Sequence, residues 1–429
     1  MSLLSALYTG VSGLQTFGDS LQVIGDNIAN VNTTAFKAAR AEFADLLSQT
    51  INGSSGRSQM GRGVTLQQIT SDFSQGSFSN TQRLTDLAIN GNGFFIVNDG
   101  ARDYYTRNGQ FTLNSQGDLV TSNGYNLIGY QYDANGNPTG TLGPMQILQS
   151  HSQPHMTGDG TEGSGVNITL NLNANAETNT FDVNNPAETS NFSTAITVYD
   201  SVGNGHHLQV YFNKTGDNNW QWHALVSGDE IVGGTEGEPF EGAGGTLTFT
   251  SNGALQSAVT NDSSFNFTGT AQTIGFNFGT SIDDGGSGLE GSTQFASPTV
   301  VDSQSQDGYA AGNLQTITVG ESGVVAGIYS NGQTLPIGQI AMANFTNIQG
   351  LFKTGSSVYT DTSDSGVPVI GKPNVGGFGT VSPYTLELSN VDLASEFVKL
   401  ISNQRAYQAN SKIITTGDQL LGDVVNIIR

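Results

Sequence analysis

Cysteine is absent from the 429-residue chain. That rules out disulfides, thiolate metal sites and a cysteine nucleophile. The zero is permissive about compartment and suits a protein that persists outside the cell without redox help. Cations are scarce, 14 Lys and Arg against 36 Asp and Glu, for a formal charge of −22. Such a surface argues against nucleic acid and anionic lipid as partners. No run of 18 apolar residues occurs, so no helical membrane insertion is expected. The first residues lack a basic segment before a continuous apolar run, so a cleaved Sec-type signal is not expected either. Proline is low at 10, and charged residues make up only 12%.

Glycine is abundant at 57, and 22 Phe and 13 Tyr supply enough apolar bulk for β-type cores. The length suggests two to four domains. Charge is uneven along the chain. Residues 1–40 balance Asp19 and Asp26 against Lys37 and Arg40. Residues 391–429 balance in the same way. Residues 146–296 hold 16 acidic side chains against one cation, Lys214. Neutral ends can pack against copies of themselves, whereas an acidic middle repels and belongs in solvent.

The strongest periodic signal lies in 391–429. Stepping by seven from Leu393 meets Leu400, Tyr407, Ile414, Leu421 and Ile428, all large and apolar. The alternate row, Phe397, Gln404, Ser411, Asp418 and Val425, is apolar only at its ends. With no internal proline, this reads as a helix roughly 58 Å long at about 1.5 Å per residue. A seven-residue period of this length is a seam for another helix. Ser389, three residues before Asp392, reads as a capping-box start. The partner candidate is residues 3–31, where Leu7, Val11, Leu14, Phe17, Leu21, Ile24, Ile28 and Val31 recur at three or four. Gly18 and Gly25, seven apart, are places where a neighbouring helix could approach. The period does not say whether the partner helix belongs to the same chain or to a second one.

Between the helices, a short helical pattern is expected at 38–49, with Phe43, Leu46 and Leu47, then a loop over 50–63. From Val64 the period becomes two. Strands are expected at Val64–Ile69, Leu87–Ile89, Phe94–Val97, Phe111–Leu113 and Leu119–Val120. Asn-Gly pairs begin at Asn90, Asn92, Asn108 and Asn123, continue at Asn135, Asn204, Asn252 and Asn331, and mark tight hairpins. Further strands are expected at Ile168–Leu172, Thr194–Tyr199, Leu208–Phe212, Trp220–Val226, Thr246–Thr250 and Ile274–Phe278, then Leu314–Val319, Val324–Tyr329 and Gln339–Phe345. The expected fold class is mainly β with long α-helical termini and discontinuous, nested domains. The terminal helices (1–31 and 390–429) bracket a connecting segment (32–79) and an inner antiparallel β domain (80–145 and 297–389). That domain brackets an outer acidic one (146–296).

Signals of chemistry are weak. Asp133-Ala-Asn135-Gly-Asn137 begins like a calcium loop, but Pro138 and Pro144 stand where Gly and Glu are required. His151, His155, His206, His207 and His223 form no metal-ligand pattern. Gly91-Asn-Gly93 precedes a strand and is no dinucleotide fingerprint. Asp283-Asp284 and Glu236 with Glu238 lie in glycine-rich loops and are most simply solvated. No catalytic, cofactor or metal residues are assigned, although a hydrolase with paired carboxylates remains open.

Ser12-Gly-Leu14, followed by Asn27-Ile-Ala-Asn30-Val-Asn32-Thr33-Thr34-Ala35-Phe36-Lys37, resembles the signature of the bacterial flagellar axial proteins, the rod-and-hook family. Ala35 departs from it, standing where many members have Gly. Thr85–Phe95, Tyr105–Phe111 and Gln404-Arg-Ala-Tyr-Gln-Ala-Asn410 are similarly typical. Ser305-Gln-Asp-Gly-Tyr309, with Gly312 and Leu314, resembles the hook branch. The resemblance covers roughly 1–145 and 297–429 and is weak for 146–296. It implies a structural subunit that self-assembles into the tubular hook, a flexible torque-transmitting joint outside the cell between rod and filament. The partners implied are many copies of itself, rod and hook-filament junction proteins, the hook cap scaffold and the flagellar type III export apparatus. The signature residues Asn27, Asn30, Asn32, Thr33, Phe36 and Lys37 would be assembly residues. A distal-rod-like subunit, or a secreted β-rich adhesin or enzyme, are the other readings.

Overall fold

The structure, a computed structural model, describes residues 3–47, 49–53, 56–133, 136–147, 151–158 and 164–428. The side chains of residues 3–4, 49–53, 56–60, 262 and 424–428 fall outside that description. The chain forms two compact units. One comprises Met1–Gln149, Thr316–Gly327 and Thr334–Arg429; the other comprises Ser150–Gln315 and Ile328–Gln333.

In the first unit, helix α1 (Leu3–Ala29) and helix α2 (Leu393–Ile428) run antiparallel. Glycine lets them close. A Cβ at Gly13 would sit 2.7 Å from Asn410 Oδ1, and one at Gly417 would sit 2.6 Å from Leu7 Cδ2. The glycines read as approach points, Gly18 and Gly25, instead face open space, with nothing within 4 Å of an added Cβ. The start of α2 also differs from expectation. Asp392, not Ser389, caps it: its carboxylate accepts from Ala394 N–H at 3.0 Å and its carbonyl from Glu396 N–H. That places a negative charge at the positive end of the helix dipole.

The helical pattern at 38–49 does not form. Ala39–Asp45 is a strand, paired antiparallel with Val64–Ser71 through a bulge between Glu42 and Phe43. Three apolar residues offer no continuous helical stripe, and pairing with 64–71 satisfies the backbone instead. The loop expected over 50–63 likewise contains a pair, Gln49–Gly53 with Gly56–Met60. The hairpin lies along α1. Phe43 meets Phe17 with ring centroids 5.7 Å apart, and Ser12 Oγ accepts from Val64 N–H.

The main sheet of this unit is built around Phe94–Asn98. This strand pairs antiparallel with Asp103–Thr106, Asn126–Tyr132 and Met342–Asn344. Phe94, Ile96, Tyr105, Ala341, Ala343, Phe345 and Tyr359 form its core. The Asn-Gly signals mark turns, since Gly91, Gly93 and Gly124 adopt positive φ.

In the second unit, Phe192–Tyr199, Gly205–Gly216, Asn219–Ser227, Pro239–Phe249 and Leu255–Ser263 form an antiparallel meander. A second sheet centres on Gly165–Asn173. It is not purely antiparallel as expected: Gly275–Asn277 and Thr293–Phe295 pair with it in parallel, and Val300–Gln306 antiparallel. This last pairing extends the unit past residue 296 to Gln315, so the charge-poor stretch after 297 does not mark its end. Trp220, Trp222, Phe212, Phe278, Ile168 and Leu170 lie in one shared core. Lys214 is buried there, its Nζ donating to the Ala174 carbonyl at 2.7 Å.

Candidate assembly surface

The helix pair has a buried inner face and an apolar outer one. On α1, Ile24 is buried, Leu7, Leu14, Phe17, Leu21 and Ile28 are half-buried, and Val11 is exposed beside Tyr8. On α2, Leu400, Ile414 and Leu421 are half-buried, Ile414 beside Gly10 of α1, whereas Leu393, Phe397 and Tyr407 are exposed. Ile428 lies within α2, but its side chain is outside the described residues.

The second inward row of α2 consists of Glu396, Asn403, Asn410 and Gly417, seven apart and one residue before the row beginning at Phe397. Sequence reasoning missed this row because it weighed only large apolar residues. The available signal was the repeat of small and polar side chains opposite the glycines of α1. A glycine-lined helix leaves room for Asn410, not for phenylalanine. Phe397, Val398 and Ile401 therefore point outward, each at least half exposed.

The 27–37 segment folds into a knot where α1 ends. Asn27 is buried. Its amide spans Ala39, donating to the carbonyl at 2.7 Å and accepting from the N–H at 2.9 Å, and it also donates to Glu396 Oε2 at 3.2 Å. One side chain thus ties α1, the hairpin and α2 together. Asn30 donates to Asp26 and accepts from Thr33 Oγ1 at 3.0 Å, which closes the turn after the helix. Ala35 has a φ of 55°, in the left-handed region that favours glycine. Asn32 and Thr33 are exposed. Phe36 is buried beneath Lys353 Nζ, 4.2 Å from its ring centroid.

Lys37 is fully buried and pairs with Glu387 Oε1 at 2.6 Å, also donating to the Ser74 carbonyl. Glu387 Oε1 accepts from Gly76 N–H at 2.9 Å, and Arg107 Nη1 lies 3.6 Å from Oε2. Burial pushes the Lys37 ammonium below its ordinary range, and Glu387 partly opposes that. Burial likewise lowers Arg107 and raises Tyr359 to about 12. Asn390 completes the junction, accepting from Ala38 N–H and donating to Asp72 and Ser74. The two ends of the first unit are thus tied by groups far apart in sequence.

Among the described residues, no three His, Asp or Glu side chains converge as metal ligands, and no helix is long and apolar enough to cross a membrane. Asn137 N–H donates to Asp133 Oδ1 at 2.8 Å in a local turn; residues 134 and 135 lie outside the described residues. His206 bonds Glu230 at 2.7 Å and His223 bonds Glu241 at 2.6 Å. Asp284 accepts from Ser281 Oγ within its own loop, and Asp283 from Gln256.

A β-rich chain bracketed by a terminal helix pair, with this signature knot between them, defines the class of flagellar axial proteins. Four family descriptions match in order: "Flagella basal body rod protein" over 7–37, "Flagellar hook protein FlgE/F/G D1 domain" over 88–186, "Flagellar basal body protein FlaE D2 domain" over 169–309, and "Flagellar basal body rod FlgEFG protein C-terminal" over 383–427. The flagellar hook protein FlgE of Escherichia coli K12 is 37% identical over 98% of this chain and all of its own length. Those of Borreliella burgdorferi, at 34% over 99% of the chain, and Salmonella typhimurium, at 37% over 97%, are similar. The crystal structure of Helicobacter pylori flagellar hook protein FlgE2 shares the fold, with a TM-score of 0.53 at 18% identity, covering 72% of this chain and all of that one. The chain belongs to the flagellar hook protein FlgE family. It is a structural hook subunit, extracellular in the flagellum, of a family that polymerises.

Proposed function

We propose that α1 and α2 form the axial core of the polymer and that function is mechanical, with no enzymatic step. The carrying observation is the exposed apolar face of α2, Phe397, Val398 and Ile401, on a helix whose opposite face is already packed within the chain. Exposing such a stripe is unfavourable in water at roughly 25 cal/mol per Å², so it is suited to burial between subunits. The predicted residues Leu7, Leu14, Leu21, Ile28, Leu400, Ile414 and Leu421 hold the pair together, while Val11, Leu393, Phe397 and Tyr407 face neighbours. In this reading the helical core resists torsion, the 32–79 segment bridges subunits, and the acidic second unit, which runs to Gln315, yields at low cost when the tube bends. Rod and junction proteins meet the two ends of the tube, with the cap scaffold and type III export apparatus acting during assembly.

Electron microscopy of the purified chain, beside a chain lacking residues 391–429, tests this. Curved tubes from the full chain and none from the truncation are expected. Full-length hooks and motile cells carrying Leu14→Asp or Leu400→Asp would overturn the helix-core reading.

A further inference from the structure

Beside α1 lies an open groove of about 1030 Å³, walled by the helix, the Ala39–Asp45/Val64–Ser71 hairpin and residues 351–353 at the start of the Phe352–Gly355 strand. Its apolar part is Leu66, Ile69 and Phe352, the last two more than half exposed. Its helical wall carries Asp19 and Asp26, with Gly25 between them leaving open space where a side chain would stand. Asp19 has no ion-pair partner among the described residues, and Asp26 has only Lys353 at 3.9 Å.

Resting on the polymer reading above, we propose that this groove receives the outward face of α2 from a second copy of the chain. On that face Phe397, Ile401 and Arg405 are four apart, so they stack along one line of the helix, with Val398 beside them. The first two are apolar and half exposed; Arg405 is exposed with no acidic partner among the described residues. The face therefore presents an apolar end and a cationic end, and the groove presents an apolar end and an acidic wall. With Arg405 on Asp19, Phe397 lies about 12 Å further along the incoming helix at about 1.5 Å per residue, and we assign it to the apolar part of the groove at Ile69 and Phe352. The open space at Gly25 admits a helix carrying side chains on its contact line. Within one chain α2 cannot make this contact, because its other face is committed to α1 through Asn410 and Gly417. The occupant must come from another copy.

The absence of cysteine makes the test clean. Chains carrying Asp19→Cys and Arg405→Cys are mixed, assembled into tubes and treated with a short bis-maleimide crosslinker, which spans the length left by the arginine side chain that a disulfide cannot. Dimers containing one chain of each kind are expected in tubes and not in dilute monomer. Tubes assembled from purified chains contain no other protein, so a filled groove there can hold only a second copy. Tubes that form normally without the crosslink overturn the inference and leave the polymer reading standing. Failure of the full chain to form tubes under any condition overturns both. Asp19→Arg or Arg405→Asp alone should raise the critical concentration roughly tenfold, and the double reversal should restore it. Unchanged assembly in both single variants also overturns the contact.

Discussion

Lys37 and Glu387 meet at 2.6 Å across 350 residues of chain, and neither side chain touches solvent. The pair closes the first unit, holding the exit from α1 against the approach to α2. Arg107 makes the cluster asymmetric, because Glu387 alone faces two cations. Removing the carboxylate leaves both uncompensated, whereas removing Lys37 leaves Glu387 still beside Arg107.

Glu387→Gln is therefore expected to destabilise the first unit by about 3–5 kcal/mol, and Lys37→Met by less. Both tryptophans lie in the second unit. Hydrogen exchange at amides of the 87–97 strands is the appropriate readout. An equal or smaller cost for Glu387→Gln would contradict the asymmetry.

The same cluster and its neighbours set the alkaline limit. Burial, the largest cause, raises Tyr105 and Tyr359 to about 12, above the ordinary 10. A phenol whose folded pKa is raised stabilises the fold fully below pH 10. That contribution is lost as pH climbs from 10 through 12, because the unfolded chain releases the proton first. Each tyrosine accounts for up to about 3 kcal/mol, since every tenfold difference in proton affinity between the folded and unfolded chain is worth about 1.4 kcal/mol. Lys37 has the opposite sign: its lowered pKa makes stability rise as pH approaches its unfolded value. Unfolding between pH 10 and 12 should track phenolate absorbance. Tyr359→Phe should shift the loss to higher pH, and an unshifted transition would remove Tyr359 from the account.

Ala35 supplies a local test. Its φ of 55° costs a non-glycine residue about 1–2 kcal/mol, yet its methyl is fully buried. Ala35→Gly relieves the backbone but loses a buried methyl, worth about 0.8 kcal/mol, and loosens the unfolded chain. These effects nearly cancel, so the melting temperature should move by only a few degrees. Ala35→Val adds a β-branched side chain in the left-handed region with no space around it, and should cost at least about 2 kcal/mol. A tolerated valine would show that the turn opens.

Much of this architecture was legible because it rests on period. The two helices and most short strands follow from apolar spacing and Asn-Gly turns. What escaped depends on contact across the sequence. Ala39–Asp45 is a strand because Val64–Ser71 lies beside it, and its own alternation, Ala39-Arg-Ala-Glu-Phe43, is short and rests mostly on alanine, a helix former. Val300–Gln306 carries a single charge, Asp302, and only its pairing with Gly165–Asn173 assigns it to the second unit. In the assembly surface, the large apolar residues of α2 were visible. That Asn410 faces inward and Phe397 outward was not, because the choice is made by the glycines of another helix. Likewise Lys37 belonged to a recognisable motif, but Glu387, in a three-residue strand, carried no sequence signal of its own.

The glycines of α1 divide the helix into a packed and an open half, and alanine can tell them apart. A Cβ at Gly18 meets nothing within 4 Å, so Gly18→Ala should stabilise the helix by the full propensity gain of about 1 kcal/mol. At Gly13 the same propensity gain is opposed by a Cβ 2.7 Å from the Asn410 amide, which must move and abandon its bond to the Ala406 carbonyl. Gly13→Ala should therefore be neutral or destabilising, and Gly13→Leu should part the helices. Helical circular dichroism of the monomer through thermal melting separates the two positions. If Gly13→Ala and Gly18→Ala stabilise equally, α1 and α2 do not pack before assembly, and their antiparallel contact is created only when neighbouring copies arrive.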